Sequence, residues 1–217
     1  MIMELIVFQG DSITDSGRHR EYHDARGHGY VTTICGALGA AEPYKYDFLN
    51  RGVSGNRVVD LLARVRSDMI NLKPDYLSIL IGVNDVWHEL DNLNGVDAKR
   101  FEHLYDLLIE QLLEELPNLK IMILEPFVVP GRATDNTPEE PDRWETFDRE
   151  VRLRAAAAKR IAQKYNLTFV PLQDMFTKVS AEAPDRAYWV RDGVHPTICG
   201  HDLIKQEWLK AFATIAK

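Results

Sequence analysis

Short apolar runs alternate along this chain with stretches in which apolar residues recur every three or four positions. Leu5 to Gln9, Tyr46 to Asn50, Tyr76 to Ile81, Lys120 to Leu124 and Leu167 to Val170 read as strands. Between them, Arg57 to Ile70 places Val58, Leu61, Leu62, Val65 and Met69 on one helical stripe. Phe101, Leu104, Leu108, Leu112 and Leu116 form another, which Pro117 ends; Trp144 to Tyr165 and Gly200 to Ile215 supply two more helices. Strands that alternate with helices predict an α/β chain, a parallel sheet with helices on both faces. At 217 residues the chain is expected to form one domain, 1–217. Val128 to Pro141, rich in Pro, Glu, Asp and Thr, reads as an exposed excursion or lid, and Leu172 to Arg191 as some twenty irregular residues that must have a task.

Parallel sheets bind ligands at the carboxyl ends of their strands, where loops and helix N-termini converge. Three polar turns fall there: Gly10-Asp11-Ser12, Gly52-Val53-Ser54-Gly55-Asn56 and Gly82-Val83-Asn84-Asp85. With strand order 2-1-3-4-5, the first turn lies between the other two at about 4.8 Å per strand spacing. A fourth cluster, Asp192-Gly193-Val194-His195-Pro196, follows the fifth strand, roughly 14 Å away, and has to travel back across the rim to reach Ser12. A serine hydroxyl needs a neighbouring base, and histidine titrates in the right range. His195 is the candidate base and Asp192 the carboxylate that orients it, preferred over Asp11, Asp15 and Asp85, which can bond neighbouring loops instead. The N–H groups of Ser12 and Gly55 and the amide of Asn84 are candidate donors to an oxyanion.

These four blocks, FQGDSIT, GVSGN, GVND and DGVHP, resemble in order the blocks of the SGNH, or GDSL-type, hydrolases. The resemblance implies a flavodoxin-like three-layer sandwich with five parallel strands, a catalytic set of Ser12, Asp192 and His195, and no metal or cofactor. GDSITDSGR, GVNDVW and the Trp189 ahead of DGVHP are most similar to bacterial carbohydrate O-acetylesterases that act on acetylated xylo-oligosaccharides. Related blocks also occur in lysophospholipases, arylesterases and thioesterases.

Each residue also has a plainer reading. Gly52 to Asn56 can cap the following helix through Ser54 or Asn56, and Asn84 can be a turn residue. His201 reads as a side chain at a helix N-terminus. His19, His23 and His28 match no metal-binding spacing and fit a solvated loop. Asp11, Trp87 and Trp189 are candidate substrate-binding residues, since an indole offers a flat apolar face to a sugar ring. A net charge of -7 with scattered basic residues disfavours nucleic acid, and no apolar run approaches a membrane span. Cys35 and Cys199 read as small core fillers. The start of the chain lacks a signal-peptide pattern, so the cytoplasm is the expected location and a small molecule the expected partner; a homo-oligomer stays open. The rival from another class is a noncatalytic flavodoxin-like ligand-binding module, against which stands the lack of a G-x-G-x-x-G or Walker motif.

Overall fold

Residues 3–216 are described by a computed structural model. Five parallel strands, β1 (Glu4–Gly10), β2 (Tyr46–Asn50), β3 (Tyr76–Leu80), β4 (Lys120–Leu124) and β5 (Thr168–Val170), are ordered β2-β1-β3-β4-β5. The helices are α1 (Ser12–Asp15), α2 (Tyr30–Ala41), α3 (Val58–Ala63), α4 (Val65–Asp68), α5 (Val83–Asn92), α6 (Ala98–Glu115), α7 (Arg143–Lys164), α8 (Gln173–Glu182) and α9 (Ile198–Phe212). The strands are apolar at nearly every position because both faces of the sheet are covered. Ile6, Phe8, Tyr76, Leu80, Met122 and Leu124 pack with Ile34 of α2 and Trp208 and Phe212 of α9. Their alternates, Val7, Leu77, Ile79, Ile121 and Ile123, pack with Leu61, Phe101, Leu108 and Ile161 from α3, α6 and α7. The one polar side chain in β3, Ser78, accepts a 3.0 Å hydrogen bond from the buried indole Nε1–H of Trp208. Leaving that N–H unpaired would cost about 1–3 kcal/mol.

Register delivers the loops to one rim. Gly10 pairs with Leu80, so the turns after β1 and β3 begin at the same height; β2 ends two residues lower, where Asn50 pairs with Phe8, and its loop climbs until Val53 N donates to Gly10 O at 3.0 Å.

Several expectations change. The stripe from Arg57 to Ile70 is not one helix: α3 and α4 break at Arg64, and a single 3₁₀ turn, Ile70–Leu72, follows. The break suits Arg64, whose side chain turns inward to Asn56 Oδ1 and Gln9 Oε1. Half of the stretch from Leu172 to Arg191 is α8, nucleated where the Glu125 carboxylate accepts the N–H groups of Leu172 and Gln173. Val128 to Pro141 is not an exposed lid throughout, because Val128, Val129, Gly131 and Thr134 are buried, while Pro130, Arg132 and the later part from Asn136 face solvent. Cys35 packs against the core, whereas Cys199 is half-buried beside the Tyr188 hydroxyl. No helix among the described residues is long and apolar enough to cross a membrane.

Candidate active site

The turn after β1 aims Ser12 outward by burying Asp11 beneath it. Asp11 is the N-cap of α1, and its Oδ1 accepts the Ile13 N–H at 2.9 Å. Full burial pushes the Asp11 carboxyl up to about 7, against the pull of that N–H and of His195. It therefore holds the turn from below and is not open to the pocket. Ser12, first in its helix, keeps a backbone N–H with no intrahelical acceptor.

The turn from Asp192 to His195 reaches the same place. Val190 and Pro196 form an antiparallel bridge, and Arg191 N donates to His195 O at 2.9 Å, closing a tight loop that presents the imidazole. Inside it, Asp192 Oδ1 accepts the N–H groups of His195 (2.8 Å) and Val194 (3.1 Å), and Oδ2 meets His195 Nδ1 at 2.8 Å. Burial alone would push the Asp192 carboxyl up, yet the His195 side chain and these N–H donors hold it well below the usual carboxylate range. As an ionised carboxylate only accepts, Nδ1 carries the ring proton. The Nε2 lone pair then faces Ser12 Oγ, 2.9 Å away.

The segment once expected to be a lid underlies this turn. Val129 N donates to Gly193 O at 3.0 Å and Ala133 N to Asp192 O at 2.9 Å. Thr134 Oγ1, fully buried, donates to Val129 O and accepts from Gly131 N, both at 2.9 Å. Gly193 has φ +100, and a Cβ there would lie 2.5 Å from Thr134 Oγ1, so only glycine fits.

Gly55 and Asn84 line the same cleft. Gly55 adopts φ +83 in the loop after β2. Asn84, in the first turn of α5, is almost fully buried and gives one amide hydrogen to Asn56 O at 3.1 Å. Its neighbour Asp85 accepts the Val58 N–H at 3.1 and 3.3 Å, fixing the start of α3. Burial pushes Asp85 up to about 7 despite that N–H and the nearby Arg154. Ser54 and Asn56 do not cap α3, because the Ser54 N–H and hydroxyl go to Asp15 and Asn56 Oδ1 accepts from Arg64.

Together these elements surround an open cleft of about 410 Å³ lined by Ser12, Ser54, Gly55, Asn84, Trp87, His88, Asp91, Asn92 and His195. Ser12, Gly55, Asn84, Trp87 and His195 were all expected at one rim, and the structure gathers them there. The Trp87 ring centroid lies 5.7 Å from that of His195. Trp189 is not part of this cleft; it packs edge-on to Tyr188 and lines a separate one with Val179 and Pro184. His201 sits buried in the first turn of α9, where its Nδ1 accepts the Tyr30 N–H at 3.1 Å. Burial, with repulsion from His195, lowers it to about 4. His19, His23 and His28 are exposed. His88, Asp91 and Asn92 line the cleft without having been singled out, because the polar run after Gly82 reads as a turn when it is the helix α5. The period of the pair Asn84 and Asp91, seven residues or two helical turns apart, was the available signal.

A serine oxygen within hydrogen-bond distance of a carboxylate-backed imidazole, in a cleft that Gly55 and Asn84 also line, is equipped for attack on an ester carbonyl. The profile of the GDSL-like Lipase/Acylhydrolase family matches residues 8–203. The chain is 36% identical over 215 residues to an acetylxylan esterase of Geobacillus stearothermophilus, covering 95% of this chain and 93% of that protein. The crystal structure of that esterase superposes with a TM-score of 0.82 at 33% identity, covering 96% of this chain and 93% of the other. A GDSL-like lipase candidate from Parabacteroides merdae superposes with a TM-score of 0.87 at 33% identity over 98% of both chains. The chain therefore belongs to the GDSL-like lipase/acylhydrolase family and is a carboxylic ester hydrolase.

Proposed function

We propose that this hydrolase removes acetyl groups from carbohydrate esters through an acyl-enzyme on Ser12. The observation that carries the roles is the 2.9 Å contact between Ser12 Oγ and His195 Nε2, backed by Asp192 at 2.8 Å. As Oγ attacks the carbonyl carbon, His195 Nε2 takes its proton, and the carbonyl oxygen gains charge toward the donors at Ser12, Gly55 and Asn84. His195 then protonates the departing sugar oxygen as the C–O bond breaks. Water, deprotonated by the same nitrogen, attacks the acetyl-serine and releases acetate.

The acetyl and sugar assignments rest on the acetylxylan esterase relative and on the lining of the cleft. Ser54, Asn84, His88, Asp91 and Asn92 offer hydrogen bonds suited to hydroxyl groups, whereas a long acyl chain would gain little apolar contact among them. Lysophospholipase, thioesterase and arylesterase readings, which need a larger apolar surface, are less well served. Membership of a hydrolase family likewise weighs against a noncatalytic module.

The test follows acetate release from acetylated xylobiose by wild type and Ser12→Ala, with butyryl and octanoyl esters of the same sugar alongside. Expected are a loss on the order of 10⁶ in kcat for Ser12→Ala and a preference for acetyl. A Ser12→Ala rate equal to wild type, or a preference for octanoyl, overturns the reading.

A further inference from the structure

One wall of the cleft is formed by Trp87, whose ring lies 5.7 Å from that of His195, and Trp87 is not free to turn. Its indole Nε1–H donates to Asp91 Oδ2 at 2.7 Å, one helical turn along α5. Asp91 Oδ1 in turn accepts from Arg143 Nη2 at 2.8 Å. Arg143 opens α7 and spends its whole guanidinium fork locally, with Nη1 on Glu140 Oε2 at 2.8 Å and Nε on the Ala133 carbonyl at 2.9 Å. Its side chain is only 9% exposed, although Asp91 and Glu140 are 40% and 44% exposed. A guanidinium that shielded is held in one geometry, which a freely solvated ion pair is not. Phe147, one turn further along α7 and fully buried, lies under both groups: its ring is 6.0 Å from that of Trp87 and 5.9 Å from the Arg143 carbon.

The other end of the fork bears on the catalytic loop. Ala133, whose carbonyl Arg143 holds, gives its own N–H to Asp192 O. One arginine thus ties the wall carrying Trp87 to the platform under Asp192 and His195.

We propose that Arg143 is a positioning residue that fixes two things at once: the Trp87 indole, as the surface on which the sugar portion of the ester stacks, and the 131–134 platform that sets the Asp192 turn. This rests on the acetyl-carbohydrate reading above and specifies its leaving-group subsite. The sugar presents C–H groups to the indole face, and its hydroxyls meet His88, Asp91 and Asn92 along the same helix. Locking the ring beforehand spares the substrate the entropy of ordering it.

The experiment compares acetylated xylobiose with ethyl acetate, an ester of the same acyl group whose alcohol has no ring to stack. Asp91→Ala and Trp87→Ala are each expected to lower the ratio of kcat/KM for xylobiose acetate over ethyl acetate by about tenfold, chiefly through KM. Arg143→Met is expected to lower that ratio similarly and, in addition, to lower kcat for both esters, with partial recovery in Arg143→Lys. Should Arg143→Met fail to fold, Asp91→Ala, at an exposed residue, carries the test. Overturning results are a ratio that stays within twofold of wild type in Asp91→Ala or in Trp87→Ala, or an Arg143→Met protein that is less stable to heat yet keeps both the ratio and kcat. Wild type that hydrolyses ethyl acetate but not the sugar ester would refute the parent reading instead, a distinguishable failure.

Discussion

The two turns that meet over the cleft are held in place by different kinds of contact. Gly10 to Ser12 leaves the central region of the sheet, where Gly10 pairs with Leu80 on one side and accepts the Val53 N–H at 3.0 Å on the other. Asp192 to His195 has no strand beneath it. Its support is a single isolated bridge, the internal bonds of the Asp192 carboxylate, and the loop around Thr134. The serine is thus placed by the backbone ladder that makes the fold, and the imidazole by a few loop contacts. Damage beside the first turn should unfold the protein, whereas damage beside the second should cost activity before stability.

Removing the reactive groups gives the largest effects and ranks the members of the second turn. His195→Ala should lose on the order of 10⁶ in kcat and Asp192→Asn about 10⁴, measured by acetate release at neutral pH. The reverse ranking would break the assignment of base and orienting acid. On the opposite wall, Asn84→Ala should cost about 10²–10³ in kcat with KM little altered, since the donor acts mainly on the developing charge. A change confined to KM would remove Asn84 from that role.

His201 sharpens the comparison because it joins the two sides: it belongs to the helix after the His195 turn, yet it receives the N–H of Tyr30, whose hydroxyl meets Thr14 Oγ1 at 2.9 Å. Its native value is lowered from 6.5 to about 4 by burial and by repulsion from His195. Between those values the unfolded chain binds a proton that the native protein refuses, so this residue makes stability fall as pH drops from 6.5 toward 4. The loss amounts to roughly 3 kcal/mol. His201→Gln, which keeps an acceptor for Tyr30, should be less acid-sensitive than wild type in urea unfolding at pH 4.5 and 7. Equal sensitivity would place the charge-driven weakness elsewhere. The buried Asp11 and Asp85, each raised to about 7, contribute the opposite slope in both proteins.

The smallest effect is the most discriminating. Thr134→Val leaves the Gly131 N–H and the Val129 carbonyl without the hydroxyl, at a cost of about 1–3 kcal/mol. If that cost is local to the platform, kcat should fall severalfold while the sheet, followed by amide exchange in β1 and β3, stays protected. Exchange that rises across the sheet with kcat intact would erase the distinction between the two turns.

This difference in support also explains what was legible beforehand. Runs such as Leu5 to Gln9 and Lys120 to Leu124 are marked by local pattern, and four short blocks marked Ser12, Gly55, Asn84, Asp192 and His195. Contacts between loops carry no such mark. Thr134 and Arg143 look like surface residues in a polar stretch until their partners at Val129, Asp91 and Ala133 are seen. Similarly, α2 gave no helical reading: Gly36 and Gly39 interrupt it, and its stability comes from packing Tyr30, Val31 and Ile34 against β1 and α9. In α5 the many polar residues suggested a turn because Asn84, His88, Asp91 and Asn92 face a cleft and Asp85 serves a neighbouring helix.

Asn84 and Asp85 grip the same short stretch of chain, one at the Asn56 carbonyl and the other at the Val58 amide. Consecutive residues thereby act as a rigid ruler between the α5 amide and the Gly55 peptide, which cannot spread apart to suit an incoming molecule. In the mechanism proposed above, such a gauge favours the tetrahedral shape over the planar ester and is indifferent to the alcohol attached. Discrimination among alcohols then falls to the cleft's mouth, where Trp87, Asp91 and Asn92 stand.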